Sequence, residues 1–244
     1  MKEKFDLSLI LACYNEGPIF ERSVEKVLSV LDQTDFSYEV IFIDDASVDE
    51  TSVSIKKIIK KNPRRSLTVI YHQKNKGRGA SVREGILKAR GKVVGYIDVD
   101  LEIPADYIPR FVNAILSGYD VAVANRVYDF TLRSLPRWIA SKGYVSLRRM
   151  LLNNNLRDTE AGYKFFSRRK ILPVLKKTVD PGWFWDTEIM TRSNRAGLKI
   201  MEIPTVFIRN FEKNSTVRLI PDTIDYFIKL FQFRKTNILR PKKV

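Results

Sequence analysis

Residues 93–109, VVGYIDVDLEIPADYIP, run from an apolar segment straight into four carboxylates, Asp98, Asp100, Glu102 and Asp106. Residues 93–97 have the length and composition of a buried strand, while Pro104 and Asp106 suit the first turn of a helix, where a fixed φ and a negative charge are both favourable. Strand, acidic loop and helix form one beat of a rhythm that fills the first half of the chain. Further short apolar strands are expected at 7–11, 40–43, 67–71 and 121–124. Helical patterns are expected at 19–31, 53–60, 82–89 and 105–116. Strands alternating with helices at this spacing predict βαβ units and a parallel sheet, with ligands beyond the carboxyl ends of the strands. The unusual polar clusters of this half all fall at such ends.

The acids stand in a basic chain: 244 residues with 43 Lys and Arg against 28 Asp and Glu, a formal net charge of +15. That excess asks for an anionic partner, whether nucleic acid, phosphorylated small molecules or anionic lipid. Hydrophobic residues at 44% and charged residues at 29% indicate a folded chain rather than a disordered one. A single cysteine, Cys13, excludes an intrachain disulfide framework and suits a reducing compartment. No apolar run approaches the roughly 18 residues of a spanning helix, and the N-terminus lacks a secretory pattern. The expectation is therefore a protein kept on the cytoplasmic side, without signal peptide or transmembrane helix.

Asp98 and Asp100 are two apart, so on an extended chain both point to one face, as a hard divalent cation such as Mg²⁺ or Mn²⁺ requires. Solvated loop acids would look the same. Asp106 needs no more than a helix start. Among Asp44, Asp45, Ser47, Asp49 and Thr51, helix capping accounts for Ser47 or Asp49 and for Thr51, but not for adjacent aspartates at the strand end. NKGRGAS, residues 75–81, sets cations among glycines before a helix, which suits phosphate, yet its spacing is not that of a Walker A loop. His72, the one histidine, takes no role, and neither His72 nor Cys13 belongs to a nucleophile motif. The absence of G-x-G-x-x-G after the first strand argues against a dinucleotide oxidoreductase.

Taken in order, ACYNE (12–16), DDASVDET (44–51), NKGRGAS (75–81), DVD (98–100), NR (125–126), DTEAGYKFF (158–166), WDTE (185–188) and EIPTVFIR (202–209) resemble the family 2 glycosyltransferases of the GT-A fold. The segments at 158–166 and 185–188 are similar to the polyprenyl-phosphate mannose and glucose synthases in particular. The resemblance implies an α/β fold, a Rossmann-like, mostly parallel central sheet flanked by helices with amphipathic helices at the C-terminus. It implies a nucleotide-sugar donor contacted by Ala12, Tyr14, Glu16, Asp44, Asp45, Lys76 and Arg78. It implies Mg²⁺ or Mn²⁺ held by Asp98 and Asp100, with Glu102 as a third ligand or a hydrogen-bond partner. Asp100 and Arg126 then stand at the reacting centre. The chain departs from the family pattern in having Ala12 for proline, Glu102 for glutamine, Asn125 for serine and Tyr163–Lys164 for Phe-Arg.

A sugar hydroxyl as acceptor would need a general base, for which Asp186 or Glu188 is the candidate. A polyprenyl phosphate is already anionic and instead needs cations, for which Arg126, Arg133 and Arg209 are candidates. The abundance of Arg and Lys in the second half favours the phosphate. Ile220, Ile224, Phe227, Ile228 and Phe231 recur at helical spacing among basic residues, as in a helix lying on an anionic membrane surface or one packed on the domain. The basic segment 133–151 admits the same two readings, and two such segments on the expected acceptor side tilt the expectation toward peripheral binding to an anionic membrane surface. The expected organisation is one domain at 1–212, with a nucleotide-sugar half at 1–126 and an acceptor half at 127–212, followed by a basic amphipathic extension at 213–244. Nucleic acid is not expected as a partner, because the cations flank an acidic cluster that would repel phosphate.

Overall fold

The computed structural model describes residues 3–127, 148–210 and 219–238. Seven strands form one sheet: β1 (Phe5–Cys13), β2 (Tyr38–Asp44), β3 (Leu67–Tyr71), β4 (Gly91–Ile97), β5 (Val121–Val127), β6 (Tyr163–Ser167) and β7 (Ile200–Val206). Their order is β3-β2-β1-β4-β6-β5-β7. The first four strands pair in parallel, as expected of βαβ units. β6 inserts antiparallel between β4 and β5, and β5 pairs with β7 in parallel. The sheet is thus mostly parallel, with one reversed strand near its middle.

Among the described residues, helices accompany it at α1 (Phe20–Asp32), α2 (Thr51–Lys61), α3 (Arg78–Lys88), α4 (Ile108–Leu116), α5 (Arg168–Leu175), α6 (Trp185–Arg195) and α7 (Leu219–Ile238). Residues 148–152 are also helical. Alternation along β4 shows how the layers form. Val93 and Ile97 face a core with Val24, Leu28, Ile55 and Phe111, from α1, α2 and α4. Val94 and Tyr96 face a second core with Val82, Ile86, Trp185 and Ile189, from α3 and α6. A strand buried on both faces reads as a continuous apolar run, the signal seen at 93–97. Each fully buried Leu, Ile or Phe contributes about 1.5–3 kcal/mol, so the two cores hold the sheet rigid beneath its polar loops.

α3 begins at Arg78, four residues earlier than the sequence indicated, and so takes in part of NKGRGAS. Gly77 makes the entry turn at φ +94°, where a Cβ would lie 2.5 Å from the Pro181 carbonyl oxygen. α7 packs through Leu230 and Phe233 onto Leu151, Leu152 and Phe184, a third small core. No helix among the described residues is long and apolar enough to cross a membrane.

Candidate active site

The loops after β1 and β2 are interlocked. Ser47 Oγ accepts the Asn15 N–H at 3.1 Å, and Asn15 Oδ1 accepts the Val48 N–H at 2.9 Å. Asp49 accepts the N–H groups of Gly17 and Thr51 at 3.0 Å each, and Thr51 Oγ1 accepts the Glu16 N–H at 2.9 Å. Asp49 thus stands one residue ahead of the N-cap Glu50, which makes no side-chain cap bond, and holds the first N–H of α2 while tying the two loops together. Glu16 is buried and accepts the Tyr14 N–H at 3.0 Å. Asn15, Ala46 and Leu101, in the loops after β1, β2 and β4, all have positive φ, a costly conformation for residues with side chains. A fourth such residue, Asn153, follows the helical residues 148–152, away from these loops.

Asp44 and Asp45 are both buried. Asp44 accepts the Ser47 N–H at 3.0 Å and the Ser52 hydroxyl. Asp45 accepts the N–H groups of Lys76 and Gly77 at 2.8 Å each, and pairs with His72 Nδ1 at 2.6 Å. His72 Nε2 and Lys76 Nζ both reach Glu84, at 3.1 Å. Asp45 thus fixes the basic turn, and His72, to which the sequence assigned nothing, braces Asp45. Only an aspartate with an otherwise unexplained neighbour signalled this in the sequence.

Arg78 is the centre of the charged cluster. Its Nε and Nη2 donate to Asp98 Oδ1 at 3.1 and 2.5 Å, and its Nη1 donates to Asp186. The guanidinium lies over the rings of Tyr96 and Trp183, 5.4 and 5.5 Å from their centres. Asp186 also receives the Tyr96 hydroxyl, and Lys164 Nζ at 2.6 Å. Burial works against the Arg78 charge, but Asp186 and Asp98 outweigh it and its pKa is raised. Burial holds the Tyr96 hydroxyl well above its ordinary pKa and, at Lys164, lowers the pKa despite Asp186. A fully buried lysine within the YKFF strand was the strongest missed signal, since a charge there demands a buried partner.

A cavity of about 40 Å³ opens at this edge, lined by Asp98, Asp100, Glu102, Ile103, Arg126, Gly162, Tyr163 and Phe207. The three acidic residues read from the stretch thus line one cavity. Asp100 accepts the Glu102 N–H at 3.2 Å, and Glu102 accepts the Asn210 N–H at 3.2 Å. Arg126 enters from β5, its Nε and Nη2 held by Asp158 at 2.6 and 3.1 Å. Burial opposes ionisation of Asp158, but Arg126 outweighs it and the pKa is lowered. Arg209 lies in the 208–210 segment, which bonds to residues 100–102 but does not line the cavity. Arg133 and most of the basic segment 133–151 lie outside the described residues.

The base candidates sit elsewhere. Glu188 is buried and accepts the N–H groups of Val179 and Asp180 at 2.9 Å, with Arg192 Nε at 2.8 Å. Asp186 is engaged by three donors, and neither residue lines the cavity. Hard oxygen donors at Asp98, Asp100 and Glu102 are the set that Mg²⁺ or Mn²⁺ takes. Gly162 fits that use, since a Cβ there would occupy the space of the Asp98 carboxylate. No group of three ligands is preassembled among the described residues, because Asp98 is turned toward Arg78.

Comparison with known proteins agrees with this architecture. Glycosyltransferase AglD of Haloferax volcanii is 31% identical, over 82% of this chain and 32% of its own. The dolichyl-phosphate beta-glucosyltransferase of Saccharomyces cerevisiae is 27% identical, over 83% of this chain and 66% of its own. The dolichol-phosphate mannosyltransferase of Pyrococcus furiosus is 29% identical, over 82% of this chain and 56% of its own. The chain thus spans between a third and two thirds of these relatives' length. Among solved structures, glucosyl-3-phosphoglycerate synthase of Mycobacterium tuberculosis, in complex with Mn²⁺, UDP and glucosyl-3-phosphoglycerate, superposes with a TM-score of 0.70. It is 18% identical and covers 98% of this chain and 82% of that one, a likeness of fold, the GT-A fold. The model of glycosyl transferase family 2 matches residues 8–172, and the chain belongs to that family: it carries a glycosyltransferase domain.

Proposed function

We propose that the domain transfers a sugar, with inversion, from a UDP- or GDP-sugar to a membrane polyprenyl phosphate such as dolichyl or undecaprenyl phosphate, with Mg²⁺ or Mn²⁺ as cofactor. The observation that carries this reading is the shared cavity: three carboxylates suited to a cation and Arg126, suited to a phosphate, line the same space. The dolichyl-phosphate and dolichol-phosphate transferases among the relatives support the acceptor. So does the state of the base candidates. Asp186 and Glu188 are buried and occupied, an arrangement suited to a nucleophile that brings its own charge.

On this reading Tyr14, Glu16, Asp44 and Asp45 shape the donor seat, and Lys76 and Arg78 face its diphosphate. Asp98 and Asp100 would hold the cation, with Glu102 beside them. When bound, the cation offsets the charge growing on the departing nucleoside diphosphate. Arg126, braced by Asp158, orients the acceptor phosphate, with Arg209 as a further cation; Arg133, the third candidate, lies outside the described residues. The phosphate oxygen then bonds to the anomeric carbon as the carbon–diphosphate bond breaks. Asp186 serves by holding Arg78 rather than by taking a proton.

Residues 1–126 then serve the donor, 127–212 the acceptor, and the C-terminal extension the membrane. α7 has two apolar faces, one packed on the domain through Leu230 and Phe233. The other exposes Ile224, Ile228 and Phe231, 55%, 50% and 47% accessible, near Arg234 and Lys235. It suits a peripheral seat on an anionic cytoplasmic-side surface. The test is transfer from radiolabelled UDP- and GDP-sugars, with Mg²⁺ or Mn²⁺, to polyprenyl phosphate or to free glycans. A lipid-phosphate-linked sugar is expected, and turnover with hydroxyl acceptors alone would overturn the reading.

A further inference from the structure

The loop at 179–183 forms the outer wall of the Arg78 turn. The Pro181 carbonyl accepts the Ala80 N–H at 3.0 Å, and a Cβ on Gly79 would lie 2.8 Å from the Gly182 carbonyl oxygen. Trp183 covers one face of the Arg78 guanidinium. These contacts run backbone to backbone at glycines, so the turn and the loop have little freedom to shift independently.

Two clamps hold the loop. Glu188 takes its first two N–H groups from beneath. The second comes from α7, where Lys229 Nζ lies 2.9 Å from Asp180 Oδ2 and 2.7 Å from Asp225. Asp180 Oδ1 accepts the Gly182 N–H at 2.8 Å, and the side chain is only 8% accessible. A carboxylate so placed needs a cation, and without one it turns toward water and releases the loop.

We propose that Lys229 is a positioning residue for donor binding: from the C-terminal helix it fixes Asp180, the 179–183 loop and so the Arg78 turn. Residue 229 lies beyond the family match at 8–172, which assigns it nothing. The proposal rests on the reading that the Arg78 turn belongs to the donor site.

The experiment is calorimetric titration of the whole chain with UDP and with GDP in Mn²⁺. Lys229→Met, which keeps the apolar stem, is expected to weaken nucleotide binding about five- to tenfold. Lys229→Arg restores affinity, and Asp225→Asn, which removes only the exposed partner, leaves it unchanged. Asp180→Asn keeps an acceptor for the Gly182 N–H and should weaken binding as Lys229→Met does. It carries the test where the methionine variant does not fold. Where both fold, the double variant is expected to bind no worse than either single one. Wild-type affinity in Lys229→Met or Asp180→Asn, or failure of Lys229→Arg to rescue, overturns the role of Lys229 alone. Binding of neither nucleotide by the unaltered chain overturns the donor-site reading itself.

Discussion

Gly162 leaves room for the Asp98 carboxylate and the Arg78 guanidinium, both of which a Cβ would displace. Gly162→Ala therefore moves a proposed cation ligand and a proposed diphosphate ligand together. A displacement of about 1 Å costs about a hundredfold in rate, and turnover measured beside the melting temperature should show the rate falling while the fold stays. Asp98→Asn is expected to abolish Mn²⁺-dependent transfer with the fold retained, since Asp186 still pairs with Arg78, and wild-type rates would remove Asp98 from the cation site. Asp158 adds a pH prediction. Its folded pKa lies below the ordinary 3.8, so unfolding takes up a proton in acid. Its contribution is present above 3.8 and is lost as pH falls through the folded value. In urea unfolding from pH 5 to 3, Asp158→Asn should show a flatter loss of stability than the unaltered chain. The site acids 98, 100 and 102 were legible because carboxylates after an apolar strand are conspicuous. Asp158 and Lys164 were less so, since a residue's partner across the sheet leaves no mark at its own position.

The five strands of the first half and the helices between them could be read because apolar runs and turn residues repeat in register with the βαβ unit. β6 could not. Tyr163–Ser167 interposes a lysine among aromatics, and its place between β4 and β5 depends on long-range pairing. The start of α3 was misplaced for a related reason. Glycine and arginine at 77–79 look like loop, yet Arg78 and Gly79 already belong to the helix, where the turn packs against residues 181–185. The sequence of α7 tilts toward a membrane surface, whereas the structure packs one face of the helix, through Leu230 and Phe233, on the domain. Leu230 is fully buried in its small core, so Leu230→Ala is expected to cost about 2–3 kcal/mol. Hydrogen exchange would show it as α7 amides losing protection while β1 and β4 keep theirs. Equal loss across the sheet would mean that the helix is integral to the main core.

At the scale of the molecule, the acid cavity and the basic background answer different demands. The carboxylates at the sheet edge suit one cation, whereas a net charge of +15 acts over a Debye length on any anionic surface nearby. Charge alone would bind nucleic acid or lipid alike, and the proposed membrane contact rests instead on the exposed apolar stripe of α7. Among the described residues, Ile224, Ile228 and Phe231 are exposed and stand outside the small core that Leu230 and Phe233 enter. Phe231→Asp combined with Ile228→Asp removes apolar area and adds negative charge on that face, leaving the packed face untouched. Sedimentation with vesicles containing phosphatidylserine should show the unaltered chain bound at low salt and released as salt rises. The double variant should remain in the supernatant, with the same melting temperature and the same nucleotide affinity. Were it to sediment like the unaltered chain, the exposed stripe would not be the membrane contact, and the positive charge alone would carry the attraction.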